Sequence, residues 1–397
     1  MALEGRVGPF GPPRAADMAV SRSRLQARLD VAIAAAPNPF AARCLRAERA
    51  ALLARQGQLE AARAAIDELT TQLAWEPNAA LRGWLALAEG LLGYYSALGR
   101  GAQGLIEEAY LLAQQGGPAL TRLHALAAAW LANMAFANDD MPRMAALVRE
   151  ALDGAAPDHH GTRARATLVA GYAYHFAGAN TRAQPWYEAS RRHAIADGDE
   201  THLSALMHNQ AWMRASQARL ALLFDAGSGR VAQADAVAHA LMGAESIGHY
   251  DAGVGTASLG SLVPMLRAQV LTAQARWGEA LALFESHFDA ALGDGLRRLA
   301  PCLLADRAWC EWHAGQPRKA TALAAAAEQA LLQPCDTDDR AMATARLAQV
   351  REVLGDQAAA QRLRAESQTL YATHCEQQQR LVTLLDAAIA GMDPASA

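Results

Sequence analysis

Lysine is almost missing from this chain: Lys319 stands alone, and every other base among the 36 basic residues is arginine. Acids and bases alternate closely, as at Glu48-Arg49 and Arg149-Glu150, and the formal net charge is -4. No basic stripe runs along the chain, which argues against nucleic acid as its direct ligand. A single lysine also leaves little room for Schiff-base chemistry or for a phosphate-binding loop. The five cysteines, Cys44, Cys302, Cys310, Cys335 and Cys375, are odd in number and never form CxxC. That excludes a disulfide framework and the usual zinc spacing, and fits a reducing, cytoplasmic compartment. No apolar run approaches the roughly 18 residues of a membrane span. Residues 1–20 lack the apolar core of a signal peptide. Valine, isoleucine and threonine never cluster in alternating runs, so no strand is expected. GxSxG, SxxK and HExxH are all absent. The expectation is a soluble, non-enzymatic protein with no cofactor, no resident metal and no membrane contact.

What is present is alanine and periodicity. The chain is 52% hydrophobic, much of it alanine, the best helix former. Segments such as LLARQGQLEAA (Leu52 to Ala62), FAGANTRA (Phe176 to Ala183), QARWGEA (Gln274 to Ala280) and HAGQPRKA (His313 to Ala320) share one design. Each closes an apolar helix, turns on a small residue, and opens another helix with alanine at or near the fifth position. The turn anchors fall at Gly57, Gly99, Asn138, Gly178, Gly227, Ala275, Gly315 and Gly355, spaced by 42, 39, 40, 49, 48, 40 and 40 residues. A fixed period in this range means a helical array. An array also explains how 397 residues manage without one oversized core, since each hairpin packs on its neighbours.

The predicted organisation is all-α: a disordered leader at 1–20, a capping helix at about 21–36, about eight antiparallel hairpins over 41–373, a capping helix at 376–390 and a disordered tail at 391–397. The solenoid as a whole spans 21–390. The hairpin at 200–247 is oversized and carries the glycine-rich loop Asp225 to Arg230, read as a connector because it lacks the lysine of a phosphate loop. The polar run Glu376 to Arg380 is expected to cap the array and keep the chain monomeric. Asp158-His159-His160 is read as an exposed turn in which Asp158 caps the next helix.

These repeats resemble the tetratricopeptide family. Gly178, Ala183 and Tyr187 match its triplet of small, alanine and aromatic positions; so do Ala275, Ala280 and Phe284, and Gly57, Ala62 and Ile66 with an aliphatic third member. The family repeat is usually about 34 residues. The longer period here is similar to the solenoids of MalT-like bacterial transcriptional activators and to sensor regions ahead of diguanylate cyclases. The segments at Asn138 and Gly227 depart from the pattern. The resemblance implies a right-handed α-solenoid whose first helices, the A helices, line a concave groove. Family geometry puts groove positions about six, three and two residues before each anchor. They are Phe136, Tyr172, His175, Phe176, Trp309, Trp312 and His313. Trp130, Asn133, His208, Asn209 and Trp212 also lie on A helices, less clearly in register. Trp309 and Trp312, three apart, are expected to share a face. The expected function is a scaffold holding a peptide or protein segment in that groove, as adaptor or regulatory sensor. The alternative is a small-molecule sensor, for instance of an oligosaccharide stacked on Trp309 and Trp312.

Overall fold

A computed structural model describes residues 23–97, 101–224, 250–251, 261–293, 295–395 and 397. The leader at 1–20, the anchors Gly99 and Gly227, and the loop Asp225 to Arg230 lie outside the described residues. The described residues form sixteen α-helices and two short 3-10 turns, Gly117–Leu120 and Leu296–Leu299, and contain no strand. In chain order the helices are α1 (Arg24–Ala34), α2 (Pro39–Arg55), α3 (Leu59–Trp75), α4 (Ala79–Ala97), α5 (Gly101–Gln115), α6 (Thr121–Ala137), α7 (Met141–Gly154) and α8 (His160–Phe176). They continue with α9 (Asn180–Asp197), α10 (Glu200–Phe224), α11 (Leu262–Ala273), α12 (Trp277–Gly293), α13 (Ala300–His313), α14 (Pro317–Ala330), α15 (Thr337–Val353) and α16 (Gln357–Ala388). Neighbours pack in pairs: α2 with α3, α4 with α5, α6 with α7, α8 with α9, α11 with α12, α13 with α14, and α15 with α16. This is an α-helical repeat.

The repeat is built on one local device. Gly57, Gly178, Gly315 and Gly355 adopt φ of 78°, 73°, 74° and 89°, the left-handed region that glycine enters without steric cost. Around each turn the same backbone bond closes, from Gln58 N–H to Leu53 C=O, Ala179 to Tyr174, Gln316 to Glu311 and Asp356 to Arg351. This is the Schellman stop, which satisfies carbonyls at the helix end and reverses the chain. The same bond closes at Arg276 to Leu271 and at Asp140 to Ala135, where the left-handed residues are Ala275 and Asp139, at φ 60° and 61°. The anchor expected at Asn138 is therefore Asp139. The register follows it: Met144 and Val148, five and nine residues on, are the buried contacts of that hairpin.

Five residues past the turn, Ala62, Ala183, Ala280, Ala320 and Ala360 are all buried. Nine past it, Ile66, Tyr187, Phe284 and Ala324 are buried too. These positions fall on successive turns of the second helix, facing the first. A methyl group at the nearer one lets the helix axes approach closely.

The first and last described helices both fold back on the array. Helix α1 docks where α9 meets α10: Leu25 N–H donates to Gly198 C=O at 2.9 Å, and Arg24 and Arg28 pair with Glu200 and Asp197. Gly198 sits at φ 71°, and a Cβ there would lie 2.7 Å from Arg24 Cβ, so only glycine fits. Helix α16 corrects the expected boundary near 373–376. It runs unbroken for 32 residues, because no glycine or proline interrupts the chain between Gly355 and Gly391. Its second half lies across α7, α8 and α9. Leu381 and Leu385 join the large core of the first half of the chain, together with Ile389 beyond the helix end. The polar run Glu376 to Arg380 is thus mid-helix, and Gln378 donates to Phe176 C=O at 2.6 Å. The tail is held as well: Arg192 donates to the carbonyls of Pro394 and Ala395.

Candidate functional site

Five of the seven residues singled out by the repeat register fall into two clusters. In the first, Phe136 meets Tyr172 and Phe176 edge-on, with ring centroids 4.9 and 5.5 Å apart. In the second, Trp309 meets His313 at 4.6 Å, and both meet Trp277, whose ring stacks on His313 at 4.4 Å. Trp277 opens α12 in the preceding hairpin, so the second cluster bridges two repeats. The register did not select Trp277, since it follows its anchor instead of preceding it.

Trp312 and His313 both lie about one helical turn on from Trp309. The Trp309 ring meets His313 and not Trp312, which is half-buried and outside the ring cluster. His175, at the same register as Trp312, is buried, and its Nδ1 lies 3.1 Å from Tyr187 Oη. Burial pushes the His175 imidazole down to about 4, so it is neutral at physiological pH.

The two clusters differ in what covers them. The first lies beneath the chain's own end: His374 of α16 meets Phe176 edge-on at 5.4 Å, and Gln378 takes the Phe176 carbonyl. The Tyr172 phenol is pushed well above its ordinary value, mainly by burial, then by Tyr187 and the acids Asp338, Asp336 and Asp339. The second cluster keeps ring surface in solvent, with Trp277 and Trp309 half-buried and His313 exposed. The Arg346 guanidinium lies over Trp309 at 5.4 Å. Arg346 also donates to Asp306, 1% exposed, which takes a second bond from Arg219; this joins α10, α13 and α15 behind the aromatic face.

A third feature carried no sequence signal. Between α1, α2, α4, α6, α8 and the start of α10 lies a cavity of about 50 Å³. Its polar lining includes Arg55, Arg165, Asp199 and His202, set against Trp84 and Trp130. Arg165 stacks over the Trp130 ring at 3.8 Å from its centroid. Trp130 could be placed on an A helix from sequence. Arg165, 35 positions later in an ordinary Thr-Arg-Ala-Arg run, could not be matched to it.

The remaining chemical groups are quiet. Burial raises the thiol of Cys302 well above its ordinary value, that of Cys310 to about 12 and that of Cys44 to about 11. None of the three is a thiolate at neutral pH. Asp158 is exposed and does not cap α8; His159 occupies the N-cap without a side-chain capping bond. Instead His160 Nδ1 lies 3.0 Å from His193 Nδ1, and His193 Nε2 lies 2.7 Å from the Ala397 carbonyl. Among the described residues no group of three His, Cys, Asp or Glu side chains is placed to hold a metal ion. No described helix is long and apolar enough to cross a membrane. No protein-family model, curated protein or solved structure matches this chain.

Proposed function

We propose that this chain is a non-enzymatic binding protein of the tetratricopeptide type, a right-handed solenoid that holds a peptide or protein segment as adaptor or regulatory sensor. The observation that carries the reading is the cluster of Trp277, Trp309 and His313. Three rings from two successive hairpins meet at 4.4 to 6.4 Å and keep part of their surface in solvent. Tryptophan offers large contact area with few rotamers to freeze, and such anchors dominate protein interfaces. The rings are held from behind by Arg346 and the buried Asp306, so they are pre-ordered for contact. The protonated, buried thiols support a binding role over nucleophilic chemistry.

The first cluster supports the same reading in a different way. The surface of α7 and α8 already accepts a helix, the chain's own α16. The alternative of a small-molecule sensor finds support in the cavity beneath α1. At about 50 Å³, however, that cavity is smaller than the roughly 150 Å³ that admits benzene, so an oligosaccharide does not fit inside it.

The test is affinity capture from the native host, with wild type beside a Trp309→Ala/His313→Ala variant shown by circular dichroism to remain helical. The expected result is a protein retained by wild type and lost by the variant. Identical captures by both would remove the aromatic cluster as the binding site.

A further inference from the structure

The cavity behind α1 holds an imbalance of charge. Glu48 is paired with Arg122, Asp197 with Arg28 at 3.1 Å, and Asp199 with Arg55 at 2.6 Å. The second oxygen of Asp199 accepts the His202 backbone N–H at 2.9 Å. His202 adds no charge, because burial holds its imidazole well below the ordinary value; its Nε2 lies 2.8 Å from Ser190 Oγ. Each carboxylate in the lining thus already has its own arginine. Arg165 has none.

Arg165 is only 4% exposed, and its Nε and Nη2 meet no hydrogen-bond acceptor. The Trp130 ring satisfies the face of the guanidinium but not its edge. A buried, unpaired charge is costly unless something neutralises it. Nε and Nη2 together form the side-on edge of the guanidinium, the edge that receives both oxygens of a carboxylate in a bidentate pair. Arg55, the nearer of the other bases, also has an Nε without a partner. The remaining lining is apolar, with Leu87 and Leu91 of α4 beside Trp84.

We propose that this cavity is a binding site for a small monocarboxylate, of the size of acetate or pyruvate. Its carboxylate sits against the Arg165 guanidinium, with Arg55 lending a second positive charge. Its short apolar end lies toward Trp84, Leu87 and Leu91. The available volume excludes larger acids, and the two guanidiniums exclude neutral or cationic ligands of the same size. Helix α1 covers one side of the cavity with Leu25 and Leu29. The site is separate from the aromatic cluster on α12 and α13, and either can fail without the other.

The test uses the full chain. Carbon-13-labelled acetate is titrated and followed by NMR line broadening, with pyruvate, phosphate and chloride as competitors at constant ionic strength. In parallel, the thermal midpoint is measured against each salt. The expected result is saturable broadening of acetate, displaced by pyruvate and not by chloride, with a midpoint that rises only for the carboxylates. Arg165→Gln should abolish both effects. Arg165→Lys, which keeps the charge but loses the fork, should weaken binding about tenfold or more. Absence of saturable binding by wild type would overturn the proposal whatever the variants do. Equal binding by a folded Arg165→Gln variant would overturn it too, as would displacement by phosphate in preference to pyruvate.

Discussion

Asp386, near the end of the last helix, accepts a hydrogen bond from Tyr174 Oη at 2.9 Å, across 212 residues of sequence. Its other oxygen pairs with Arg182 at the start of α9. One carboxylate thus ties the C-terminal helix to both helices of a central hairpin. Asp386→Ala removes both contacts, but the group is about half exposed, so the loss should be no more than about 1 kcal/mol. The effect should be local. Amide exchange should speed up over residues 376–390 while the global melting midpoint moves little. Unchanged exchange there would mean that the apolar contacts of Leu381 and Leu385 hold the helix alone.

Asp306 sits at the opposite extreme of burial. It is 1% exposed and bonded to Arg219 at 2.7 Å and to Arg346 at 3.0 Å. Asp306→Ala leaves two buried guanidiniums without a counter-charge, and should cost about 3–5 kcal/mol in urea denaturation. The exposed pair Arg276 and Glu279, three residues apart, is the control. Glu279→Ala should leave the denaturation midpoint nearly unchanged. Similar losses from the two substitutions would refute the burial argument.

Ala275 holds φ 60° at a turn where four other repeats use glycine. The left-handed conformation costs a residue with a Cβ about 1–2 kcal/mol. Ala275→Gly should therefore stabilise the chain by about 0.5–1 kcal/mol, after allowing for the extra freedom glycine gains when unfolded. Gly315→Ala should do the reverse by a similar amount. Matched chemical melts of the two variants check the prediction, and a destabilised Ala275→Gly would contradict it.

His374 is 1% exposed, neither ring nitrogen has a partner, and burial pushes its imidazole down to about 4. Unfolded, it titrates near 6.5. Between these values the unfolded chain binds the proton that the folded chain refuses, so stability falls as pH drops from about 6.5 toward 4. His175, also lowered to about 4, acts in the same direction. Asp338 and Asp339, raised by burial, act in the opposite one, since protonation relieves the folded state first. Comparing variants isolates the histidine. His374→Leu should lose less stability than wild type between pH 7 and pH 4.5, by an amount on the order of 1–2 kcal/mol. Parallel pH dependences in the two proteins would rule this out.

Sequence reading reached some of these features and missed others, for definable reasons. The turns at Gly57, Gly178, Gly315 and Gly355 were legible because a Schellman stop is written within six residues: a left-handed glycine, then alanine five positions on. The turn at Asp139 was placed one residue early because Asn138 and Asp139 both tolerate that conformation, and only the register of Met144 and Val148 separates them. Trp309 and His313 were found by the same register. Trp277 was not, since it stands on a second helix brought alongside by packing.

What the amino-acid order determined by itself is the helical class, the period and nearly every described reversal at an anchor, because those depend on φ preferences and on contacts within one hairpin. What only the tertiary structure decided is where the two ends return. Helix α1 docks against Gly198, α16 covers Phe176, and Arg165 meets Trp130 without a carboxylate of its own. The terminal contacts join residues more than 170 positions apart, and the Arg165 stack joins helices of separate hairpins. Such meetings depend on the accumulated rotation from repeat to repeat, a quantity that no local pattern of residues encodes.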